Sequence, residues 1–402
     1  MPYAPAPPTG LRLVRSPLHT VRRPLLAVLV VLLVAILVRG FVGSVFVVDS
    51  TSMEPTIHAT PERVFVRFER AFRPGRFDLV VFQGPDGGAI VKRAAGLPSE
   101  SLLISGGDLL IEGRRLAADA PRPEPIPLFR FPGEGPETAV QVTGAELPAS
   151  PAGRRLDAGG RRAELTLARP ALDDWIDADG RVRAGKHPVN DLRIEARLGF
   201  SGSGKVTLRL TEEADGFELE LEVEDGRLVR WRALRRPGDG QVVELASGDA
   251  PAEAGLAEAP IDASLENVDN QVEVVVGSAH VVIGYDANTP RLGVVDEKDR
   301  HLMPRVQVAA AGLAVEFHRL AVLRDVCYTP DGPIGTGSPV VLAPDVIFVL
   351  GDNSSDSHDS RWLGPVRLSE LTGRAVGVVW PPAAARRLGR LRRLGEPQLF
   401  AE

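Results

Sequence analysis

Asp49-Ser50-Thr51-Ser52-Met53-Glu54-Pro55-Thr56-Ile57 follows directly on the most apolar run of the 402-residue sequence, Leu25 to Val38 and then Phe41 to Val48. A hydroxyl-rich turn closed by Glu-Pro-Thr is an odd thing to set where a membrane span would meet water. Taken alone, it reads equally as a juxtamembrane linker. A single lysine further along, Lys92, sits in an apolar strand pattern, and the two together suggest chemistry.

Upstream of the turn, Leu25 to Val38 carries no charge, and Arg39-Gly40 interrupts it. Those fourteen residues are fewer than the ~20 a span requires. The flanks can be borrowed if Arg22, Arg23 and Arg39 snorkel to the interface. A cleaved signal peptide, with an apolar region of about 7–15 residues, is the rival reading. No clear Ala-x-Ala-like site follows, however, and apolar character resumes past Arg39. An anchor over residues 24–43 is therefore the expectation. Arg12, Arg15, Arg22 and Arg23 precede it, which places the basic segment 1–23 in the cytoplasm and everything after Val48 outside.

Downstream, short strands are predicted at Val64–Phe68, Leu79–Phe82 and Ala89–Ala95, with a hairpin at Leu109–Ile111 followed by Glu112-Gly113. Gly75, Gly84-Pro85 and Gly87-Gly88 mark the turns. Residues 44–116 thus form the first part of a β domain. From 117 to 162 the many prolines, among them Pro121, Pro123, Pro125 and Pro127, make a long helix improbable, and an irregular connector is expected. Residues 163–325 repeat short alternating runs: Leu192–Leu198, Val206–Leu210, Phe217–Val223, Leu228–Leu234, Val272–Val276, Val281–Ile283 and Val315–Leu323. They predict an inserted β-sandwich of jelly-roll type. Residues 326–382 return to the first domain with buried-looking strands at Val346–Leu350 and Ala375–Trp380. The arginine-rich tail 383–402 reads as a solvated end, with lipid headgroups as the other possible partner. The fold class expected is mainly β.

Composition narrows the partners. A net charge of -6 gives no reason to expect nucleic acid. One cysteine, Cys327, excludes an internal disulfide framework. Seven histidines show no HExxH or i, i+4 pairing, so neither a zinc site nor another cofactor is expected. Gly199-x-x-x-x-Gly204-Lys205 has Val206 where a phosphate loop needs Ser or Thr, and reads as a hairpin turn. Asp177-x-Asp179-Gly180 is too short for a calcium loop and reads as another turn.

Strand alternation puts Lys92 on the face shared with Ile90 and Ala94. Burial there disfavours the ammonium and lowers its pKa, which would make a general base near neutral pH. A packed stem with its head in water is the structural alternative. Arg93 cannot take the base role, since guanidinium does not deprotonate in proteins. Near the end stands Gly351-Asp352-Asn353, then Ser357-x-Asp359-Ser360-Arg361. His358-Asp359 beside several serines would also permit a Ser-His-Asp arrangement.

Ser52-Met53-x-Pro55-Thr56, Phe77-Asp78-Leu79-Val80-Val81-Phe82, Lys92-Arg93 with Ala94-Ala95-Gly96-Leu97-Pro98, and the Gly351–Arg361 block together resemble the bacterial type I signal peptidases, the serine/lysine-dyad leader peptidases. The resemblance covers roughly residues 22–116 and 320–382. It implies Ser52 as nucleophile, Lys92 as general base, and an oxyanion hole from the Ser52 N–H and the Ser50 hydroxyl. It further implies Ser357 as the group orienting the lysine, with Asp352, Asn353, Asp359 and Arg361 as support. Asp49 and Thr51 stand where the family usually has Pro and Gly, and Ser354 where it often has Arg. The implied partners are exported preproteins and the lipid bilayer, and the implied place is the outer face of a bacterial cytoplasmic membrane. The alternatives are a self-cleaving-repressor-like Ser/Lys protease and a catalytically inactive, membrane-tethered binding module.

Overall fold

The computed structural model describes residues 26–33, 42–69, 71–132, 139–150, 153–177, 179–238, 240–251, 260–286 and 303–395. The chain separates into a unit of residues 1–44 and one of residues 45–402. In the first, residues 26–33 are helical. The segment 1–23 and most of the expected anchor 24–43 lie outside the described residues. Among the described residues, no helix is long and apolar enough to cross a membrane.

The second unit is mainly β, as expected, and holds two large sheets. The first has eight strands, in the order Gly43–Val47, Arg63–Phe68, Leu371–Trp380, Leu79–Gln83, Ala89–Gly96, Val346–Leu350 and Val366–Arg367, with Arg386–Arg387 added beside Leu371–Trp380. Its centre follows from period-two alternation along an apolar run. Leu79 and Val81 pack in one cluster with Met53, Ile57, Val64 and Val66. Val80 and Phe82 pack in another with Phe72, Ala94, Ile347 and Val349. The strand is buried on both faces, which explains why its sequence lacks a polar alternate.

The second sheet has thirteen strands built on two long ones, Leu192–Glu212 and Arg305–Arg324, paired antiparallel along their length. The register shifts between Arg197 and Leu198 and again between Gly202 and Lys205. The Leu192–Leu198 half pairs with Ile261–Val268. The Gly204–Glu212 half pairs with Asp215–Glu224, which leads to Arg227–Arg236 and Val243–Asp249. One apolar cluster runs across both halves, with Ile194, Leu208, Phe217, Leu265 and Phe317 among its members.

Three expectations are corrected here. The Gly199–Lys205 segment is no hairpin turn: it lies inside the long strand at its second register shift. Gly202 takes φ +93° there, so the small residues mark a bulge and not a reversal. The stretch 117–162 is more than an irregular connector, because Ile126–Phe131, Gly153–Asp157 and Arg162–Leu167 all pair with Arg305–Arg324. Its prolines forbid a helix but tolerate an edge strand, and Pro127 sits at a register shift. The described part of the C-terminal tail, residues 383–395, is not a solvated end. Arg386–Arg387 extends the first sheet, Leu391–Arg392 pairs with Arg122–Pro123, and Arg392 is buried against Glu266. Asp177, by contrast, does make a turn, accepting N–H groups from Asp179 and Arg181 between Trp175–Ile176 and Val182–Arg183.

The Arg122–Pro123 strand, paired with Leu391–Arg392, meets the second sheet at a polar junction. Arg122, fully buried, donates to Asp269 Oδ2 at 3.1 and 2.9 Å and to the carbonyls of Leu116, Ala117, Ala118 and Ala120. Asp108, Asp191 and Asp269 bring carboxylate oxygens within 4.8 Å of one another. Burial, then the Asp108 carboxylate, push Asp269 up to about 7.

Candidate active site

Three segments converge on one groove: the turn after Val48, the Ala89–Gly96 strand and the loop after Val346–Leu350. Thr51–Met53 forms a single 3-10 turn whose N-cap is Ser50. Met53 and Ile57, both buried, fix the turn to the apolar cluster beneath it. Ser52 follows from this placement: its neighbours anchor the backbone while its hydroxyl stands in the groove.

Lys92 lies on a strand between two apolar clusters, with Ile90 and Ala94 in one and Val91 in the other. It is 2% exposed and its Nζ donates a hydrogen bond to Ser52 Oγ. Burial lowers its pKa from the ordinary 10.5 to about 8, against the opposing pull of the Asp359 and Asp352 carboxylates. An amine so depressed, set on an alcohol, is the arrangement general-base activation requires.

Ser50 Oγ accepts the Ser52 N–H at 3.3 Å and donates to Ser52 Oγ at 3.2 Å. The two donors that the family resemblance assigns to the oxyanion hole are thus adjacent, the N–H donating to Ser50 Oγ and the Ser50 hydroxyl to Ser52 Oγ. Thr51 Oγ1 donates to Asp356 Oδ2 at 2.6 Å, so the threonine that replaces a usual glycine gains a side-chain tie to the facing loop. Burial raises the Glu54 carboxyl above its usual range, and Glu54 Oε1 accepts the Ala59 N–H.

The loop 351–361 is held by two buried ion pairs. Arg93 grips Asp352 with two N–H groups, Nε to Oδ1 at 2.7 Å and Nη2 to Oδ2 at 2.5 Å. Asp352 Oδ2 also accepts the Thr56 hydroxyl. One carboxylate therefore ties the lysine's strand to the serine's turn. Arg361 donates Nε and Nη2 to Asp359, both at 2.9 Å, and spends its other N–H groups on Thr329 and the Ser354 carbonyl. Asp359 Oδ2 further accepts the Gly351 N–H and the Ser357 hydroxyl. Asn353 donates its backbone N–H to Ser52 O and its side-chain amide to Thr51 O, both at 3.1 Å. Gly351 is needed for closeness, since a Cβ there would fall on Ser357 Oγ and the Ser52 carbonyl oxygen.

The structure brings together Ser50, Ser52, Lys92 and Ser357 along the groove, with Asp352, Asn353, Asp359 and Arg361 behind it. Ser357 donates to Asp359 at 2.7 Å, and among the described residues the Lys92 amine is hydrogen-bonded to Ser52 and not to Ser357. His358 is exposed and stacked on Trp362, ring centroids 6.2 Å apart, and makes no hydrogen bond to Ser52. Ser354, at a position where the family often has Arg, is buried, and its hydroxyl accepts the Thr329 N–H at 2.9 Å. Burial pushes the Cys327 thiol up to about 12, far from a thiolate nucleophile. The Arg93–Asp352 pair went unassigned at the sequence level. Its signal was a guanidinium in an apolar strand, which must have a carboxylate waiting.

The model for the family "Signal peptidase, peptidase S26" matches residues 21–127 and 324–380. These two segments build the groove and the first sheet apart from its Arg386–Arg387 strand. Signal peptidase I of Bacillus licheniformis is 30% identical over 175 residues, which span 42% of this chain and 89% of that protein. The chain belongs to the signal peptidase family, peptidase S26. Signal peptidase I V of Bacillus subtilis (strain 168) is 34% identical over 93 residues, which make up 23% of this chain and 55% of that protein. The match to the mitochondrial ATP-independent inner membrane protease subunit 1a of Arabidopsis thaliana spans 20% of this chain and 44% of that protein at 36% identity. Several of the curated relatives are thus matched over only about half their length. Among solved structures, a Bacillus subtilis protein with a galectin-like fold overlaps 50% of this chain and 96% of its own, with 9% identity and a TM-score of 0.34. Between the two family segments lie residues 128–323, which hold the thirteen-stranded sheet apart from Ile126, Pro127 and Arg324 at its margin.

Proposed function

We propose that the chain is a membrane-anchored serine endopeptidase that removes N-terminal signal peptides from exported preproteins, with Ser52 and Lys92 as its dyad. The observation that carries this reading is the buried Lys92 amine hydrogen-bonded to the Ser52 hydroxyl. In its neutral form Lys92 Nζ takes the proton of Ser52 Oγ as that oxygen bonds to the scissile carbonyl carbon. The Ser52 N–H leaves Ser50 Oγ and the Ser50 hydroxyl leaves Ser52 Oγ to donate to the developing oxyanion, each donor being worth about 2.7–4 kcal/mol in comparable sites. The Lys92 ammonium then gives its proton to the departing amine, and Ser357, whose own proton is held by Asp359, is the acceptor proposed to orient it in that step. The C–N bond breaks and an ester to Ser52 remains. Water, deprotonated by Lys92, hydrolyses the ester and restores the hydroxyl.

Asp352, Asn353, Asp359 and Arg361 are positioning residues in this scheme. An extended substrate pairs with the strand edges along the groove, the β-augmentation mode, and small side chains such as Ala-x-Ala fit its shallow floor. Residues 24–43 hold the domain at the outer face of the cytoplasmic membrane, where the apolar segment of the substrate is also anchored. The inserted sheet reads as a β-sandwich folded around one core.

The test is cleavage of a preprotein by the purified full chain, with the new N-terminus sequenced. Wild type should cut after the signal peptide, and Ser52→Ala and Lys92→Ala should both abolish the cut. Unchanged processing by either variant rules out the dyad.

A further inference from the structure

Arg386 lies beyond the end of the family match at residue 380, in the tail that composition marked as solvated. Its guanidinium makes a forked set of contacts on the segment that follows the serine. Nη1 donates to Glu62 Oε1 at 2.6 Å, and Nη2 to Glu62 Oε2 at 3.0 Å and to the Thr56 carbonyl at 2.8 Å. Glu62 is 2% exposed, and its Oε2 also accepts the His58 N–H at 2.9 Å. The Glu62 carbonyl in turn accepts the Val48 N–H at 3.2 Å. One carboxylate residue thus closes the loop from Val48 to Glu62 at both ends, and Arg386 fastens that carboxylate to the middle of the loop. The Thr56 hydroxyl is already committed to Asp352, so the two anchors grip Thr56 from opposite sides, one through its side chain and one through its backbone.

The brace is itself anchored. Arg386 pairs with Val378 in the first sheet. Six residues on, Arg392 is buried and donates to both oxygens of Glu266 on the inserted sheet. Thr56, Glu62 and Arg386 line a cleft separate from the groove of Ser52 and Lys92.

We propose that Arg386 is a positioning residue for the reaction: it holds the Thr51–Ile57 turn so that Ser52 Oγ stays on Lys92 Nζ. The inference rests on the dyad reading given above. Since Arg386 touches the turn and not the groove, its loss should lower kcat and leave KM alone. A misplacement of about 1 Å costs up to about a hundredfold in rate. Lysine in its place has one ammonium and no planar fork, so it reaches Glu62 or the Thr56 carbonyl but not both.

The experiment measures kcat and KM for a signal-peptide substrate with the full chain in detergent, beside the thermal midpoint of each variant. Wild type, Ser52→Ala, Arg386→Ala, Arg386→Lys, Glu62→Gln, the Arg386→Ala/Glu62→Gln pair and the exposed control Arg390→Ala are compared. The expected result is a kcat lowered about ten- to a hundredfold in Arg386→Ala with KM within about twofold, and an intermediate kcat in Arg386→Lys. The double variant should lose less than the product of the single losses, and Arg390→Ala should match wild type. If Arg386→Ala fails to fold, the Lys and Glu62→Gln variants decide. A wild-type kcat in Arg386→Lys, or a loss carried by KM or by a melted fold in all three, overturns the assignment. An inactive wild type would instead count against the dyad reading itself.

Discussion

The loop 351–361 and the inserted sheet both enclose a buried interior, yet they are held mainly by different means. Around the groove, specificity of position comes from enclosed charge: Asp352 on Arg93 and Asp359 on Arg361, all four almost wholly out of water. In the insertion the interior is apolar, with Leu208, Phe217, Leu219 and Phe317 at its centre. Its strand-face ion pairs, such as Lys205 with Glu220, are partly exposed, and its buried charges, Arg193 with Glu195 and Glu266, gather at the margin where Arg392 also reaches Glu266. Apolar contacts tolerate small shifts, whereas a bidentate ion pair fixes both distance and angle. A site that must keep one alcohol on one amine gains from the second kind of support. A scaffold gains enough from the first.

The largest effect should come from the reacting pair. Lys92→Met should lower kcat by at least about 10²–10⁴-fold, the range of general acid–base catalysis, without lowering the thermal midpoint, because it removes a desolvated amine from an apolar site. Next, Asp359→Ala strands Arg361 as a buried, uncompensated cation. It should cost about 3–5 kcal/mol in thermal or urea unfolding, with activity lost alongside. Phe217→Ala opens a cavity in the insertion and should cost a similar ~3–5 kcal/mol, but processing by the protein that remains folded should keep its wild-type kcat. A lost rate there would mean that the insertion's packing also sets the geometry of the dyad, and the contrast drawn above would fail.

Smaller effects sharpen the same contrast. In the proposed mechanism Lys92 works as a neutral amine, and burial brings its pKa to about 8. The rate should therefore climb about tenfold per pH unit below about 8 and level off above it, since only the deprotonated fraction acts as base. A flat profile across pH 7–9 would exclude a lysine with that affinity as the base. The smallest change should be Lys205→Ala, which breaks a partly exposed pair worth about 0.2–1 kcal/mol. It should be near silent in both stability and rate.

Much of the first sheet was legible because an apolar run buried on both faces, Leu79 to Phe82, has few other places to go. The insertion's strands were equally legible from alternation: Phe217–Val223 and Leu228–Leu234 both fall within observed strands. What alternation could not supply was continuity. Leu192–Leu198 and Val206–Leu210 are one strand, joined through glycines that read as a turn. Local composition marks where a backbone departs from ideal pairing, but a bulge and a reversal use the same residues. The tail misled for a similar reason. A run of arginines looks solvated until a buried partner, such as Glu266 for Arg392, is brought to it from 126 residues away.

By itself the sequence determined the family, the mainly β class and the residues offered for chemistry, because each is carried by short blocks whose residue types have few other uses. Only the tertiary structure decided that Lys92 Nζ reaches Ser52 Oγ, that Asp352 belongs to Arg93, and that Arg386 clasps the segment behind the serine. Those pairings join residues 40 to 330 positions apart. Which partner fills a buried charge's need is settled by the fold that closes around it.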